Sequence, residues 1–372
     1  MSDAGRQECA RCILRREDDP DIRFDPEGVC NHCRTYDALA KGSPAGGFAP
    51  VAERIRRAGR GRAYDSVVGV SGGVDSSYVA YLAKQHGLRP LAVHFDNGWD
   101  SELAVRNIEL LVRQLGFDLH THVVSWPEFR SLQVAYIKAS VVDIEAITDH
   151  GIMACLYQAA RQHGVRTILT GVNVATEGFL PARWVHHKND LINLKAIHRA
   201  YGTVPLRTFP TLGLLRQLYY TRLRRIRLVN VLDYVPYVKE EAKRTLAAEL
   251  GWRDYGGKHY ESVFTRFYQA YILPRKFGID KRRSHLSTLV CAGQLTREEA
   301  LRQIAPDAYP AAELAQEKEF VVKKLGLTEA EFDELMSQPP RDHLEFASYL
   351  RLHRRLAPVV RAGRRLLARG AR

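Results

Sequence analysis

The sequence predicts an α/β fold in which a parallel-sheet domain sits between a small cysteine-bearing N-terminal unit and a mainly helical C-terminal region. Three observations predict it. From residue 65 to about 172, short apolar runs alternate with amphipathic stretches, the pattern of strands joined by helices on both faces of a parallel sheet. Two C-x-x-C frames stand ahead of this pattern, within the first 33 residues. Beyond about residue 185 the strand pattern fades, and "LGLLRQLYYTRLRRIRL", "YVKEEAKRTLAAEL", "YESVFTRFYQAYIL" and "TREEALRQI" read as helices.

The N-terminal unit rests on cysteine spacing. Of six cysteines, four form two identical frames, Cys9-Ala-Arg-Cys12 and Cys30-Asn-His-Cys33, with seventeen residues between them. Each frame presents two thiolates to one tetrahedral ion, the arrangement of a four-thiolate zinc ribbon; redox chemistry or an iron–sulfur cluster are the competing uses. Four thiolates close the coordination sphere, so the expected role is structural. His32 is a possible substitute ligand that the pattern does not require. Cys155 and Cys291 stand alone in apolar contexts and are expected to be buried. The Gly- and Pro-rich "AKGSPAGGFAP" then marks a linker. The expected organisation is ribbon 1–41, linker 42–50, sheet domain 51–185, helical region 186–350 and basic tail 351–372.

Strands are expected at "DSVVGV", "PLAVHF", "LHTHVV" and "TILTGV", with helices over 75–86, 101–115 and 127–163 between them. At 372 residues and 45% hydrophobic content the chain has ample material for a buried core. No apolar run of about 18 residues is present, so no membrane span is expected, and the start lacks the apolar stretch of a secretory signal, so a cytoplasmic location is expected. The net charge is +13, but residues 351–372 hold eight arginines and no acidic residue, leaving +5 on the first 350. That argues against a nucleic-acid-binding body. The tail reads as a terminal helix with a solvated arginine face, against membrane-surface or RNA contact.

The loops after the strands carry the chemistry. In "SGGVDSS" the glycines Gly72 and Gly73 let the backbone approach a ligand, a helix starting near Asp75 points free N–H groups at it, and Ser71, Ser76 and Ser77 add hydroxyls. Such a loop suits phosphate, yet it lacks the lysine of a Walker A loop and is not G-x-G-x-x-G. Two further loops follow strands at the edge where open α/β sheets bind ligands: "HFDNGW" with Asp96, and "LTGVNVATEG" with Gly171, Asn173, Thr176 and Glu177.

Ser-Gly-Gly-x-Asp-Ser between strand and helix resembles the PP-loop of the ATP pyrophosphatases, which cleave ATP between the α and β phosphates. The ordered set of the two C-x-x-C frames, "SGGVDSS", "HFDNGW", "TGVNVATEG", "HHKNDLINLKAIHRAYG" and the segment from "YGGKHYESVF" to "TREEAL" is similar to the N-acetyl sugar amidotransferase family of surface-polysaccharide biosynthesis, over roughly residues 6–335. The resemblance implies conversion of an acetamido group on a nucleotide-linked sugar to an acetamidino group, with ATP, Mg²⁺ and structural Zn²⁺. The amide oxygen attacks the α-phosphate, pyrophosphate leaves, ammonia adds and AMP departs. It also implies the site: Ser71, Gly72, Gly73, Ser76 and Ser77 for the phosphates, with Asp75 helping to place Mg²⁺. Asp96, Gly171 and Asn173 would border the nucleotide, and Thr176 and Glu177 the acceptor. Lys258, Lys281 and Arg282 are candidates for charge neutralisation, and Lys188 and Asp190 for the sugar.

No glutaminase motif surrounds the remaining cysteines, so the resemblance implies ammonia from a separate glutaminase with a cyclase-like barrel partner. Two other readings compete. ATP-dependent RNA thiolation would need a sulfur-carrying cysteine, for which Cys155 and Cys291 could be nominated, or a cluster. A non-catalytic zinc-ribbon adaptor would leave the phosphate loop without a use.

Overall fold

The computed structural model describes residues 7–42, 44, 46–178, 180–256, 260–306 and 311–351. The ribbon ends in α1 (Asn31–Lys41), and α2 (Ala49–Ala58) leads into the sheet domain. There follow β1 (Ser66–Gly69), α3 (Val74–Gln85), β2 (Pro90–Asp96), α4 (Glu102–Leu115), β3 (Leu119–Val123), α5 (Trp126–Lys138), α6 (Ala146–Gln162), β4 (Thr167–Thr170) and α7 (Val174–Glu177). Then come α8 (Leu191–Tyr201), α9 (Leu214–Leu218) continued by a π turn (Tyr219–Leu223), β5 (Arg227–Asn230) and α10 (Lys239–Leu250). The remaining helices are α11 (Val263–Phe267), α12 (Leu273–Phe277), α13 (Lys281–Cys291), α14 (Arg297–Ile304), α15 (Ala311–Lys324) and α16 (Glu329–Ser337).

All five strands are parallel, in the order β3-β2-β1-β4-β5. Strands are added one way from β1 to β3 and the other way from β4 to β5, so the winding reverses between β1 and β4. That junction opens a crevice at the carboxyl ends of β1 and β4. Successive side chains of β1 serve opposite faces: Val67 joins a core with α5 and α6, while Val68 joins one with α2, α3, α4 and α10.

One expectation changes. The strand pattern does not end before residue 185, because β5 adds an outer strand at 227–230. Four residues with Arg227 and Leu228 exposed carry no apolar alternation, and only pairing with β4 defines them. The C-terminal helices also pack on the sheet domain. Phe264, Phe267, Tyr271, Val321 and Phe332 share one continuous core with α5 and α6.

Gly151 shows how closely α6 is seated. A Cβ there would fall 2.4 Å from Phe95 Cζ at the end of β2. Gly151→Ala is expected to cost about 1–3 kcal/mol by overpacking, read as a lower Tm; an unchanged Tm would show that α6 is free to shift away from the sheet.

Candidate active site

The turn after β1 builds the site from its backbone. Gly72 has φ +79°, and a Cβ on it would sit 2.7 Å from Tyr255 Oη and 2.8 Å from the Ala104 carbonyl oxygen. Only glycine fits. Its carbonyl accepts from Trp252 Nε1 and Tyr255 Oη, both at 2.8 Å. Ser76 Oγ accepts from Ser71 N–H at 3.2 Å and donates to the Gly73 carbonyl at 3.1 Å, closing the loop over the start of α3. The first α3 hydrogen bond is Ser77 N–H to Gly73, so the N–H groups of Val74, Asp75 and Ser76 have no carbonyl ahead of them in the helix. These three residues line a pocket of about 200 Å³, together with Ser71, Gly73 and Gly171. Gly171 matters by its smallness: a Cβ would lie 3.0 Å from the Asp75 carbonyl carbon.

The opposite wall comes from residues that the sequence did not single out, apart from Glu177. Lys239 and Lys243, one turn apart on α10, line the pocket with Trp252, Asp254, Tyr255 and Glu261, while Glu177 comes from α7. Burial opposes the Lys243 charge, but Asp254 and Glu240, each 2.9 Å from its Nζ, outweigh that and raise its pKa above the usual lysine value. Tyr237 Oη donates to Asp75 Oδ1. Burial first, and then the Asp75 carboxylate, push this phenol far above its ordinary pKa, so it stays a donor. The available signal was the i, i+4 spacing of the two lysines, which also suits any solvated helix face.

Several expected residues shape the loops rather than the pocket wall. Asn173 and Thr176 are buried, with Asn173 Oδ1 accepting from Thr176 N–H at 2.8 Å to start α7. Asp96 accepts from Gly98 N–H at 2.8 Å and does not line the pocket, and the Ser77 side chain is wholly buried. Lys258 lies outside the described residues.

A second polar cluster lies at the start of α6. Lys188 Nζ meets Asp143 Oδ2 at 2.7 Å and Asp149 Oδ2 at 3.0 Å; burial opposes its charge, and the two carboxylates hold the pKa above the usual lysine value. Lys281 is buried over the Tyr268 ring, and burial lowers its pKa. Asp190 caps α8 and accepts from His186 Nε2 at 3.1 Å, whereas Arg282 is held by Asp280 and the Pro306 carbonyl. None of these four lines the pocket. Thr265 Oγ1 donates to Glu145 Oε2 at 2.9 Å, while Glu145 Oε1 is shielded and unpartnered.

The four ribbon thiols converge as expected. Cys9, Cys12, Cys30 and Cys33 are wholly buried, with sulfur separations of 3.9, 3.7 and 3.6 Å for Cys9–Cys33, Cys12–Cys30 and Cys30–Cys33. A tetrahedron with metal–sulfur arms of ~2.3 Å has edges of about 3.8 Å, so the donor set fits zinc. His32 is turned to Asp19 at 2.8 Å, away from a ligand role. Cys155 is buried as expected, but Cys291 is only half-buried, its Sγ 3.5 Å from Cys33 Sγ. The ribbon therefore seats against α13, and Tyr36 of α1 packs on Gly178 at the end of α7. For Mg²⁺ the pocket offers the hard oxygen donors Asp75, Glu177 and Glu261. They fit the ion because Mg²⁺ uses few protein carboxylates and takes the rest of its shell from phosphates and water.

A doubly wound parallel sheet with a Ser-Gly-Gly-x-Asp-Ser loop at its reversal point defines a PP-loop type α/β protein. Residues 53–244, more than half of the chain, match the family described as asparagine synthase, and the chain belongs to that family. Residues 261–357 match the C-terminal domain described as LPS biosynthesis protein WbpG-like. The tRNA(Ile)-lysidine synthases of two Thermus thermophilus strains are each 35% identical over 107 residues, covering 28% of this chain and 20% of the relative. The match thus spans a fifth of those relatives. Among solved structures, NMN synthetase from Francisella tularensis has 14% identity and a TM-score of 0.32, covering 80% of this chain and 97% of that one. The NH3-dependent NAD synthetase from Campylobacter jejuni has 14% identity and a TM-score of 0.29, covering 80% and 98%.

The ribbon and the buried carboxyl at α6 can each be tested. Metal analysis of the purified protein is expected to find one zinc per chain, and Cys30→Ser to lose it and open the ribbon to limited proteolysis; iron without zinc in anaerobically prepared protein would refute the assignment. Glu145 has a pKa that burial, and then Asp149, raise to about 7. The unfolded chain ionises this group near pH 4.5 while the fold keeps its proton, so stability falls as pH rises between 4.5 and about 7. Glu145→Gln is expected to remove on the order of 3 kcal/mol of that loss, measured as urea midpoints at pH 5 and pH 8; an unchanged pH dependence would place the titration elsewhere.

Proposed function

We propose that the chain is an ATP-dependent ligase that converts the acetamido group of a nucleotide-linked N-acetyl sugar to an acetamidino group, releasing AMP and pyrophosphate. One juxtaposition carries the reading: the Ser71–Ser76 loop of the asparagine-synthase segment and Glu261 of the WbpG-like segment line a single pocket. The first supports ATP as substrate, and the second supports a sugar acceptor from LPS biosynthesis.

The chemistry sets what the residues must do. An amide carbonyl is a weak electrophile with no leaving group. Attack of its oxygen on the α-phosphate forms an O–P bond and expels pyrophosphate. Ammonia then adds to the activated carbon, AMP leaves with the former amide oxygen, and a proton is lost. The α3 N–H groups, the Ser71 and Ser76 hydroxyls, Lys239 and Lys243 face the charge that develops on the phosphates. Mg²⁺, when bound, neutralises phosphate charge, with Asp75, Glu177 and Glu261 as donors and Tyr237 fixing Asp75. The cluster of Lys188, Asp190, Glu145 and Lys281 is assigned to the acceptor side, joined to the pocket through the short run from Glu261 to Thr265.

Ammonia is assigned to a separate glutaminase with a cyclase-like barrel partner, and the chain to the cytoplasm. Burial pushes the Cys155 thiol up to about 12, and Cys291 lies against the ribbon. Neither thiol is placed as a nucleophile for glutamine or as a carrier of sulfur, which also weighs against RNA thiolation.

Pure protein incubated with ATP, Mg²⁺, ammonium and a panel of N-acetylated nucleotide sugars is expected to give AMP, pyrophosphate and a product in which NH replaces O by mass. Glutamine should substitute for ammonium only when the glutaminase pair is added. Asp75→Asn should lower turnover by ~10²–10³ with the fold intact. Sulfide-dependent modification of RNA, or near-normal turnover of folded Asp75→Asn, would overturn the reading.

A further inference from the structure

The helical segment 214–223 is an unusual surface element. Tyr220 alone is buried, stacked on Tyr157, and the outer side carries Leu214, Leu215, Leu218 and Leu223 at 62%, 83%, 45% and 75% exposure. Leu228 on β5 extends the apolar face at 45% exposure. Exposed arginines interleave with these leucines: Arg216, Arg222, Arg224, Arg225 and Arg227. From residue 191 to 232 the sequence contains eight lysines and arginines and no aspartate or glutamate.

Charge selects what this face meets. A second copy of the same face would set arginines against arginines, which disfavours self-association. The arginine-rich tail is excluded as a cover for the same reason, although the chain reaches it nearby. Tyr349 N–H donates to Asp190 at 3.3 Å, two residues before Arg351, and the next residue, Leu191, packs on Gly213 at the start of this segment. The basic tail therefore begins close to this segment. RNA would reward several base-stacking rings, whereas this face presents five protruding leucines and a single exposed ring, Tyr219, set beside Tyr220. Leucines on a convex helix, interleaved with arginines in a stretch of sequence free of aspartate and glutamate, match a helix lying in the interface of an anionic bilayer.

We infer that the face formed by residues 214–228 docks the protein peripherally on an anionic lipid surface, with Leu215 and Leu223 entering the headgroup region and Arg216, Arg222 and Arg224 meeting lipid phosphates. Such docking is independent of the sugar assignment and places the enzyme beside the membrane without a span. Among the described residues no helix is long and apolar enough to cross a membrane.

Co-sedimentation of the full chain with phosphatidylcholine vesicles, with and without 30 mol% phosphatidylglycerol (roughly the surface potential that polybasic segments sense), tests it. Binding is expected only with the anionic lipid. Leu215→Gln/Leu223→Gln and Arg222→Gln/Arg224→Gln should each lower the partition coefficient at least about fivefold while ATP-dependent pyrophosphate release is unchanged. Lack of wild-type binding, equal binding to neutral vesicles, or full retention by both variants would overturn the proposal. So would a dimer, an RNA complex or an acidic protein complex that the same leucine variant abolishes while vesicle binding persists.

Discussion

The hydrogen-bonded capture of one carbonyl, that of Gly72, organises the rest of the site. The chain must turn sharply between β1 and α3 to aim the helix at the pocket, and the turn uses a left-handed residue with no room for a side chain. Such a turn leaves a carbonyl directed away from the sheet, where it would be buried without a partner. Trp252 and Tyr255 supply two donors from a segment 180 residues later in the chain. The phosphate loop and the C-terminal half are thereby completed by each other. The same segment carries Asp254, which orients Lys243, so fixing the loop also fixes the charge opposite it.

Buried carboxylates do similar work away from the pocket. Glu128 of α5 accepts the backbone N–H groups of Arg207, Thr208 and Phe209. Burial alone would raise its pKa, and these donors outweigh it and hold the carboxyl below the usual value. An irregular stretch with no ladder of its own is thus pinned to the sheet domain just ahead of the exposed helical segment. Asp143 acts in the same way toward Lys188 and the His186 N–H, which secures the loop between α7 and α8.

The ribbon is more than an N-terminal appendage. Arg297 and Arg283 donate to the carbonyls of Cys12 and Ile13, Ile13 N–H meets Ser287 Oγ, and Trp184 Nε1 donates to the Asp18 carbonyl. These contacts clamp the two cysteine knuckles between α13 and the chain that follows α7. Since α7 contributes Glu177 to the pocket, the ribbon on one side supports a pocket-lining carboxylate on the other. The sequence suggests a distant ribbon; the fold makes it a wall support.

What the sequence determined by itself is local. The strand–loop–helix reading of "SGGVDSS" follows from glycine's conformational range and the helix that begins at Val74, and the four-thiolate set follows from spacing within two short hairpins. The loop and each C-x-x-C frame, the second of which opens α1, are decided within a few residues, so the chain displays them. Lys239, Lys243, Tyr237 and Trp252 gave no such signal. Each is an ordinary helix or loop residue until long-range packing brings it to the phosphate loop. Lys281 and Arg282 show the converse: the family resemblance offered them for charge neutralisation, and packing sets one over the Tyr268 ring and the other against Asp280, outside the pocket lining. β5 exists because β4 offers it hydrogen bonds, since its four residues lack a strand pattern. Tertiary structure alone decided which charges meet, because a side chain's neighbours from distant parts of the chain are set by the packing of the whole core rather than by sequence spacing.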